Sequence, residues 1–279
     1  MIIIVDHGAT TSRWWCFSPD TNWEESYEVP GFNPRYTPGE DAHSTLIKAR
    51  SKLPHGKSSI FFYSTGVYDD QIRNKLWKLL MEYFSDSDVE ICTDLTGVGR
   101  GLLGDEGGLA VILGTGSNAG LYENHRISFQ PLSLGYLLGD EGSGAFLGKM
   151  LLKEFLEDRF PGNLVDDFEK LLPGSKQDTI TWLQSQPQGK KLADFATFAF
   201  SNKSHPYIVQ LLEKSFASFF EHVVSRIKEN NYSSLVASGT IAWLYEDVFR
   251  KVADQYGYSV KRIVKDPMED LITYHKKQI

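Results

Sequence analysis

Four short segments of this chain place glycine, serine and threonine directly around or after apolar runs. They are Asp6-His7-Gly8-Ala9-Thr10, Gly114-Thr115-Gly116-Ser117-Asn118, Ser238-Gly239-Thr240, and the stretch from Gly135 to Ser143 that leads into a helical pattern. Turns of this kind present backbone N–H groups and small hydroxyls, the donors that hold a phosphate or another anion. Singly, each could be an ordinary hairpin turn. Their recurrence along one chain points instead to an anionic ligand held by several loops. Glycine is concentrated in the same region: 14 of the 24 glycines fall between Gly97 and Gly148, where bare backbone can approach a ligand. Carboxylates stand beside these turns. Asp6 ends the first apolar run, Asp94 lies between a strand-like run and Leu95-Thr96-Gly97, and Asp140 and Glu141 precede Gly142.

The elements that must position these turns follow from hydrophobic periodicity. Met1 to Val5 is a β-branched apolar run, and Arg13-Trp14-Trp15-Cys16-Phe17 follows the first turn, which reads as strand, tight polar turn, strand. A third strand is expected from Trp23 to Val29, ahead of Pro30-Gly31-Phe32-Asn33-Pro34. Next come a helix over about 40–52, a strand at Ser59–Ser64, a helix over about 69–84 and a strand at Val89–Thr93. This succession predicts a mixed α/β sheet with helices on its faces. Leu109–Leu113 and Asn118–Tyr122 read as two strands around Gly114-Thr115-Gly116-Ser117, repeating the opening pattern and marking a second lobe of similar topology.

Beyond Gly142 the pattern is helical. Its clearest stripe runs from Tyr207 and Ile208 through Leu211, Phe216 and Phe220 to Ile227, a spacing that marks a core face. Ser234–Ser238 reads as a strand, about 241–256 as a helix, Tyr258–Val264 as a strand and about 267–276 as a terminal helix. The expected lobes are 1–105 and 106–279, with the terminal helix able to pack back on the first.

Composition narrows the classes of function. With 279 residues, 41% hydrophobic and 23% charged, the chain has the make-up of a globular protein of two lobes. It contains no run of 18 apolar residues that could span a bilayer, and its opening apolar run lacks the basic flank of a secretory signal, so cytoplasmic residence is expected. A net charge of −7 with scattered basic residues disfavours nucleic acid as a partner. Cys16 and Cys92 lie in strand-like runs outside any metal-ligand spacing and are expected to be packed thiols.

The ordered turns resemble the first phosphate loop, second phosphate loop and adenosine loop of the superfamily of actin, heat-shock chaperones and hexokinases. More narrowly, Cys92-Thr93-Asp94-Leu95-Thr96-Gly97, Ile112-Leu113-Gly114-Thr115-Gly116-Ser117-Asn118 and Gly135-Tyr136-Leu137-Leu138-Gly139-Asp140-Glu141-Gly142-Ser143 resemble the N-acetylglucosamine kinases and their relatives among the BadF/BcrA-type ATPases. The resemblance extends from Asp6 to Pro267-Met268-Glu269. It implies a two-lobed actin-like ATPase fold of ribonuclease H-like mixed sheets, a ligand cleft between the lobes, and ATP with Mg²⁺ as cofactors. The implied reaction is phosphorylation of an amino sugar, N-acetylglucosamine to its 6-phosphate, and a homodimer is left open.

Carried onto this sequence, the resemblance makes Asp94 the catalytic base and a sugar contact, and Asp6 the ligand of Mg²⁺, reached through water. It assigns ATP to Asp6, Gly8, Ala9, Thr10, Thr11, Gly114, Thr115, Gly116, Ser238 and Gly239. It assigns the sugar to Asn33, Thr115, Gly116, Gly135, Tyr136 and Asp140. Local alternatives stand beside these roles: Asp94 as N-cap of a helix beginning near Leu95, Tyr136 as core, and Asp140 or Glu141 as cap of a helix beginning near Gly142.

The first loop departs from the family pattern. His7 replaces a small residue and Thr11 stands where a cation is usual. His7 is then either a donor to phosphate or a pendant surface histidine, and the departure motivates a second reading, a sugar or nucleotide sensor without turnover. A third reading, an ATPase that activates a dehydratase through an iron–sulfur cluster, requires thiolate ligands; Cys16 and Cys92 lack the expected cysteine-rich loop.

Overall fold

A computed structural model describes residues 1–35, 39–54, 56–185, 189–228 and 231–278. They form two compact units, the first comprising Met1–Glu106, Asn124–Ile127 and Pro267–Ile279, the second Gly107–Glu123 and Ser128–Asp266.

In the first unit, β1 (Ile2–His7), β2 (Thr11–Ser18) and β3 (Trp23–Pro30) form an antiparallel meander. Helix α1 (Gly39–Arg50) leads to β4 (Ser59–Ser64), which pairs parallel to β1, and α2 (Asp70–Tyr83) leads to β5 (Asp88–Thr93), parallel to β4. Helix α3 (Asp94–Leu102) starts at once where β5 ends. The sheet order is β3-β2-β1-β4-β5. Period-two alternation along β1 sends Ile3 and Val5 into a core with Trp14, Phe32, Leu46, Phe62 and Leu80, while Ile4 joins Trp15, Tyr63 and Leu271 on the other face.

The second unit repeats this topology with a long insertion. β6 (Gly108–Leu113) pairs antiparallel to β7 (Ser117–Glu123), and β8 (Arg126–Phe129) forms the edge. Between β8 and the next strand lie α4 (Gly135–Leu138), α5 (Gly144–Leu156), α6 (Gly162–Glu169), α7 (Lys176–Ser185), α8 (Gly189–Asp194), α9 (Ala196–Ser201) and α10 (Pro206–His222). The apolar stripe of α10 packs into a phenylalanine-rich core that includes Phe155, Phe168, Phe216, Phe220 and Phe249. β9 (Ser234–Ser238) pairs parallel to β6, and β10 (Ser259–Val264) parallel to β9.

The helix expected over about 241–256 is two helices, α11 (Thr240–Leu244) and α12 (Glu246–Gln255). Tyr245 at the break is buried and its hydroxyl donates to the carbonyl of Ala196, 2.8 Å away, a long-range anchor that no local pattern announces. Helix α13 (Met268–Lys276) packs on α3 in the first unit.

Candidate active site

Three loops converge in the first unit. The turn after β1 is tightened by Gly8 N–H donating to Thr11 O at 3.0 Å, and Ala9 and Thr10 are exposed at its tip. Gly31 N–H donates to Thr10 O at 2.8 Å, which docks the segment after β3 on this turn. A Cβ at Gly31 would lie 2.1 Å from Gly8 O, so only glycine permits the approach. Thr65, after β4, donates its N–H to His7 O at 3.0 Å, and Gly66 lies against the side chain of Asn33. The amides of Ala9 and Thr10 donate to no group among the described residues, as a phosphate cradle requires.

Asp94 is the first residue of α3. It does not cap that helix: Thr93 is the N-cap, its hydroxyl accepting from Thr96 N–H at 3.1 Å. The Asp94 carboxylate accepts from Leu95 N–H at 2.8 Å and from the Thr65 hydroxyl, yet burial outweighs these bonds and raises its pKa above the usual aspartate value. A carboxyl so placed retains a partly accessible surface and an elevated proton affinity, the two properties a general base needs.

His7 corrects both sequence expectations. It is the last residue of β1, on the face of Ile3 and Val5, and is only 1% exposed. Its ring packs against Phe32 and Phe62 at centroid distances of 4.3 and 5.0 Å, and burial lowers its pKa to about 4. A neutral imidazole in the core neither hangs from the surface nor reaches a phosphate.

In the second unit, Gly114 N–H donates to Gly116 O at 2.9 Å, while the amides of Thr115 and Gly116 have no acceptor among the described residues. Gly239 has φ +116°, and a Cβ there would meet Leu113 O at 2.3 Å, so the end of β9 lies on the turn that starts at Gly114 as bare backbone.

Within the stretch from Gly135 to Ser143, Gly139 N–H donates to Gly135 O at 2.8 Å and Ser143 N–H to Asp140 O at 3.0 Å. Gly144 and Ala145 N–H donate to Gly114 O and Thr115 O at 2.8 and 3.1 Å, and Phe146 N–H is capped by Ser143 Oγ. The first turn of α5 therefore binds the neighbouring loop, and Ser143, rather than Asp140 or Glu141, is its cap.

Asp140 has φ +58°, lies against Gly116, and accepts from Ser117 N–H. Burial raises its pKa to about 6, against that hydrogen bond and Lys149. It lines a cavity of about 310 Å³ together with Ser117, Asn118, Leu134, Leu138 and Glu141. Ser117 Oγ is buried there without a partner among the described residues. Gly135, at φ +67°, opens α4; the ring of Tyr136 covers Gly189 at the margin of the core, and its carbonyl accepts from the Lys149 ammonium.

Two features of the site were missed in the sequence. Ser64-Thr65-Gly66 ends β4 as Ser238-Gly239-Thr240 ends β9, and the same strand, small residue, glycine signal was present. The bare contact at Gly31 joins residues distant in sequence and carries no such signal.

Burial raises both thiols to about 12, and Cys16 and Cys92 are free rather than paired in a disulfide. Among the described residues no three His, Cys, Asp or Glu side chains converge as a metal site, and no helix is long and apolar enough to cross a membrane.

No protein-family model and no curated protein matches the sequence. Solved structures do. A Porphyromonas gingivalis protein provisionally named an N-acetylglucosamine kinase superposes with TM-score 0.86 at 28% identity, covering 99% of each chain. The chain has the sugar-kinase form of the actin-like ATPase fold. A protein from Chromobacterium violaceum with the same provisional name shares this sugar-kinase fold with TM-score 0.74 at 19% identity, covering 98% of each chain. A ROK family glucokinase from Streptomyces griseus, in complex with glucose and AMPPNP, shares it with TM-score 0.59 at 12% identity, over 99% of this chain and 98% of that one.

Proposed function

We propose that the protein is a cytoplasmic ATP-dependent kinase that phosphorylates an amino sugar, N-acetylglucosamine, at its 6-hydroxyl, with Asp94 as general base. The observation that carries this reading is Asp94 itself: buried enough to raise its pKa, held by Leu95 N–H and the Thr65 hydroxyl, and relieved of capping by Thr93.

In the proposed step, Asp94 takes the proton of the sugar hydroxyl as that oxygen bonds to the γ-phosphorus and the bond to the bridging oxygen breaks, leaving ADP. The free amides of Ala9 and Thr10, and of Thr115 and Gly116, are suited to the phosphate oxygens, joined by the hydroxyl of Thr11. Ser238 and Gly239 offer a surface without bulk to the adenosine. Asp6, half-buried at the end of β1, is the carboxylate that would hold Mg²⁺ through water, since this cation keeps much of its hydration. When bound, Mg²⁺ neutralises charge on the phosphates. Asn33, Gly135, Tyr136 and Asp140 are the sugar contacts in this reading, and the cavity beside Asp140, polar at Asn118 and Glu141 and apolar at Leu134 and Leu138, has the mixed lining of a small-molecule site.

The sensor reading drew on the altered first loop, His7 and Thr11 together. The His7 ring lies in the core and does not crowd the turn, which supports turnover, while Thr11 still leaves the loop without a cation. The test is a coupled ADP-release assay on the purified chain with Mg²⁺, ATP and a panel of N-acetylglucosamine, glucosamine, N-acetylmannosamine and glucose. The expected result is the highest kcat/KM with N-acetylglucosamine and a 6-phosphate product. Absence of sugar-dependent ADP release across the panel would overturn the reading.

A further inference from the structure

His7 touches all three loops of the first unit. Along the chain it joins Asp6 to Gly8. Its carbonyl accepts from Thr65 N–H, whose hydroxyl in turn holds Asp94. Its ring nitrogen Nε2 lies 2.8 Å from Phe32 O, one residue before Asn33. A carbonyl can only accept, so Nε2 carries the proton and donates, and the neutral ring leaves Nδ1 as an acceptor with no partner among the described residues. A phenylalanine would fill the same space between Phe32 and Phe62 without an orphaned nitrogen. Leaving a buried acceptor unpaired is costly, so the hydrogen bond from Nε2 to Phe32 O is what the imidazole adds over plain packing.

We propose that His7 is a positioning residue that locks the first phosphate loop to the Gly31-Phe32-Asn33 loop, so that binding of nucleotide and binding of sugar are thermodynamically linked. The inference rests on the sugar-kinase reading, in which one loop faces phosphate and the other the sugar. The contact is doubled by backbone: Gly31 N–H donates to Thr10 O, and the Gly31 α-carbon sits against Gly8 O. A displacement of Gly8 to Thr10 on nucleotide binding is therefore passed to Phe32 and Asn33 through the Gly31 backbone and the His7 ring, and linkage makes the effect reciprocal.

The test is calorimetry of N-acetylglucosamine binding with and without Mg²⁺ and the non-hydrolysable analogue AMPPNP, in the wild type, His7→Phe and His7→Gln, with a melting curve for each. In the wild type, AMPPNP should tighten sugar binding by at least about five-fold. His7→Phe keeps the packing and should melt near the wild type while its coupling factor falls toward one; His7→Gln, which retains an N–H donor, should restore part of the coupling. Gly31→Ala, which separates the loops from the other side, should lose coupling as well and serves if His7→Phe does not fold. A folded His7→Phe or Gly31→Ala with undiminished coupling overturns the inference, as does a wild type that binds both ligands independently. A wild type that binds neither ligand sinks the sugar-kinase reading and this inference with it.

Discussion

The two sheets follow one plan and place different residue types at their strand ends. Starting from the first strand of each, β1-β2-β3 with β4-β5 on the other side matches β6-β7-β8 with β9-β10: the first two strands pair antiparallel, and the first, fourth and fifth pair parallel, in both. The turn after the first strand and the turn after the fourth are adjacent in both, as Thr65 N–H to His7 O shows in one and Gly239 against Leu113 O in the other. Yet the first sheet has carboxylates at the margins of its strands, Asp6 one residue before the end of β1 and Asp94 one residue after β5, where a helix starts. The second ends them on Gly114 and Ser238-Gly239, and its long insertion between β8 and β9 supplies Asp140. The plan decides where loops fall; single residues at strand ends decide whether a loop presents a carboxylate or bare backbone.

The comparison breaks most visibly at Asp94. Asp94→Asn should lower kcat by about 10²-fold or more, the scale of a lost general base, with a melting temperature equal to or above the wild type, because a buried carboxylate that resists ionisation is replaced by a neutral amide. Near wild-type kcat in a folded protein would remove Asp94 from the chemistry.

The equivalent turn glycines sharpen the contrast. Gly239→Ala must place its methyl against the backbone at Leu113 with φ at +116°, and should cost about 3 kcal/mol or more in denaturant unfolding. Gly66→Ala, with φ at +76°, meets the end of the Asn33 side chain at 2.3 Å and Pro34 at an ordinary 3.4 Å rather than backbone, and should cost about 1–2 kcal/mol while raising the KM for the sugar. Equal stability losses would contradict the asymmetry.

Asp140 supplies a pH signature for the second unit. Its folded pKa, about 6, lies above its ordinary 3.8, so the folded state binds more protons and stability falls as pH rises between about 4 and about 6. The fall should be on the order of 2 kcal/mol and should flatten in Asp140→Asn, measured by urea titration at pH 4 and pH 7. The smallest effect is expected from Thr93→Ala, which removes the cap of α3 at a cost of about 1 kcal/mol. Its kcat should stay within about three-fold of wild type; a loss matching that of Asp94→Asn would show that capping, not basicity, is what this strand end supplies.

Much of the fold was legible because it is written in local alternation. β4 runs over Ser59–Ser64 as read, β5 starts one residue earlier, and β1 and β2 differ by one or two residues at both ends. The turns Gly8 to Thr10 and Gly114 to Gly116 were legible from composition. What escaped depended on distant partners. His7 was read as part of a turn, although one more step of the Ile3, Val5 alternation places it in the core beside Phe32 and Phe62, which come from other loops and strands. The docking of the first turn of α5 was not legible either, because the acceptors of its Gly144 and Ala145 amides, Gly114 O and Thr115 O, lie thirty residues earlier. The break at Tyr245 depends on Ala196, far back in the chain.

Helix α13 has a consequence for the order of synthesis. It belongs to the first unit, where Leu271 is fully buried, the His275 ring shares a hydrogen bond with the Tyr63 hydroxyl at 2.7 Å, and a Cβ at Gly101 of α3 would crowd Asp270 at 3.1 Å. A ribosome therefore finishes the strands of the first sheet early and must then make the whole second unit before the helix that buttresses α3 emerges. During that interval the helix that starts at Asp94 is left with one flank bare, and a nascent chain stalled anywhere between β6 and β10 exposes an apolar surface at Ile4, Trp15 and Tyr63 for chaperones to cover.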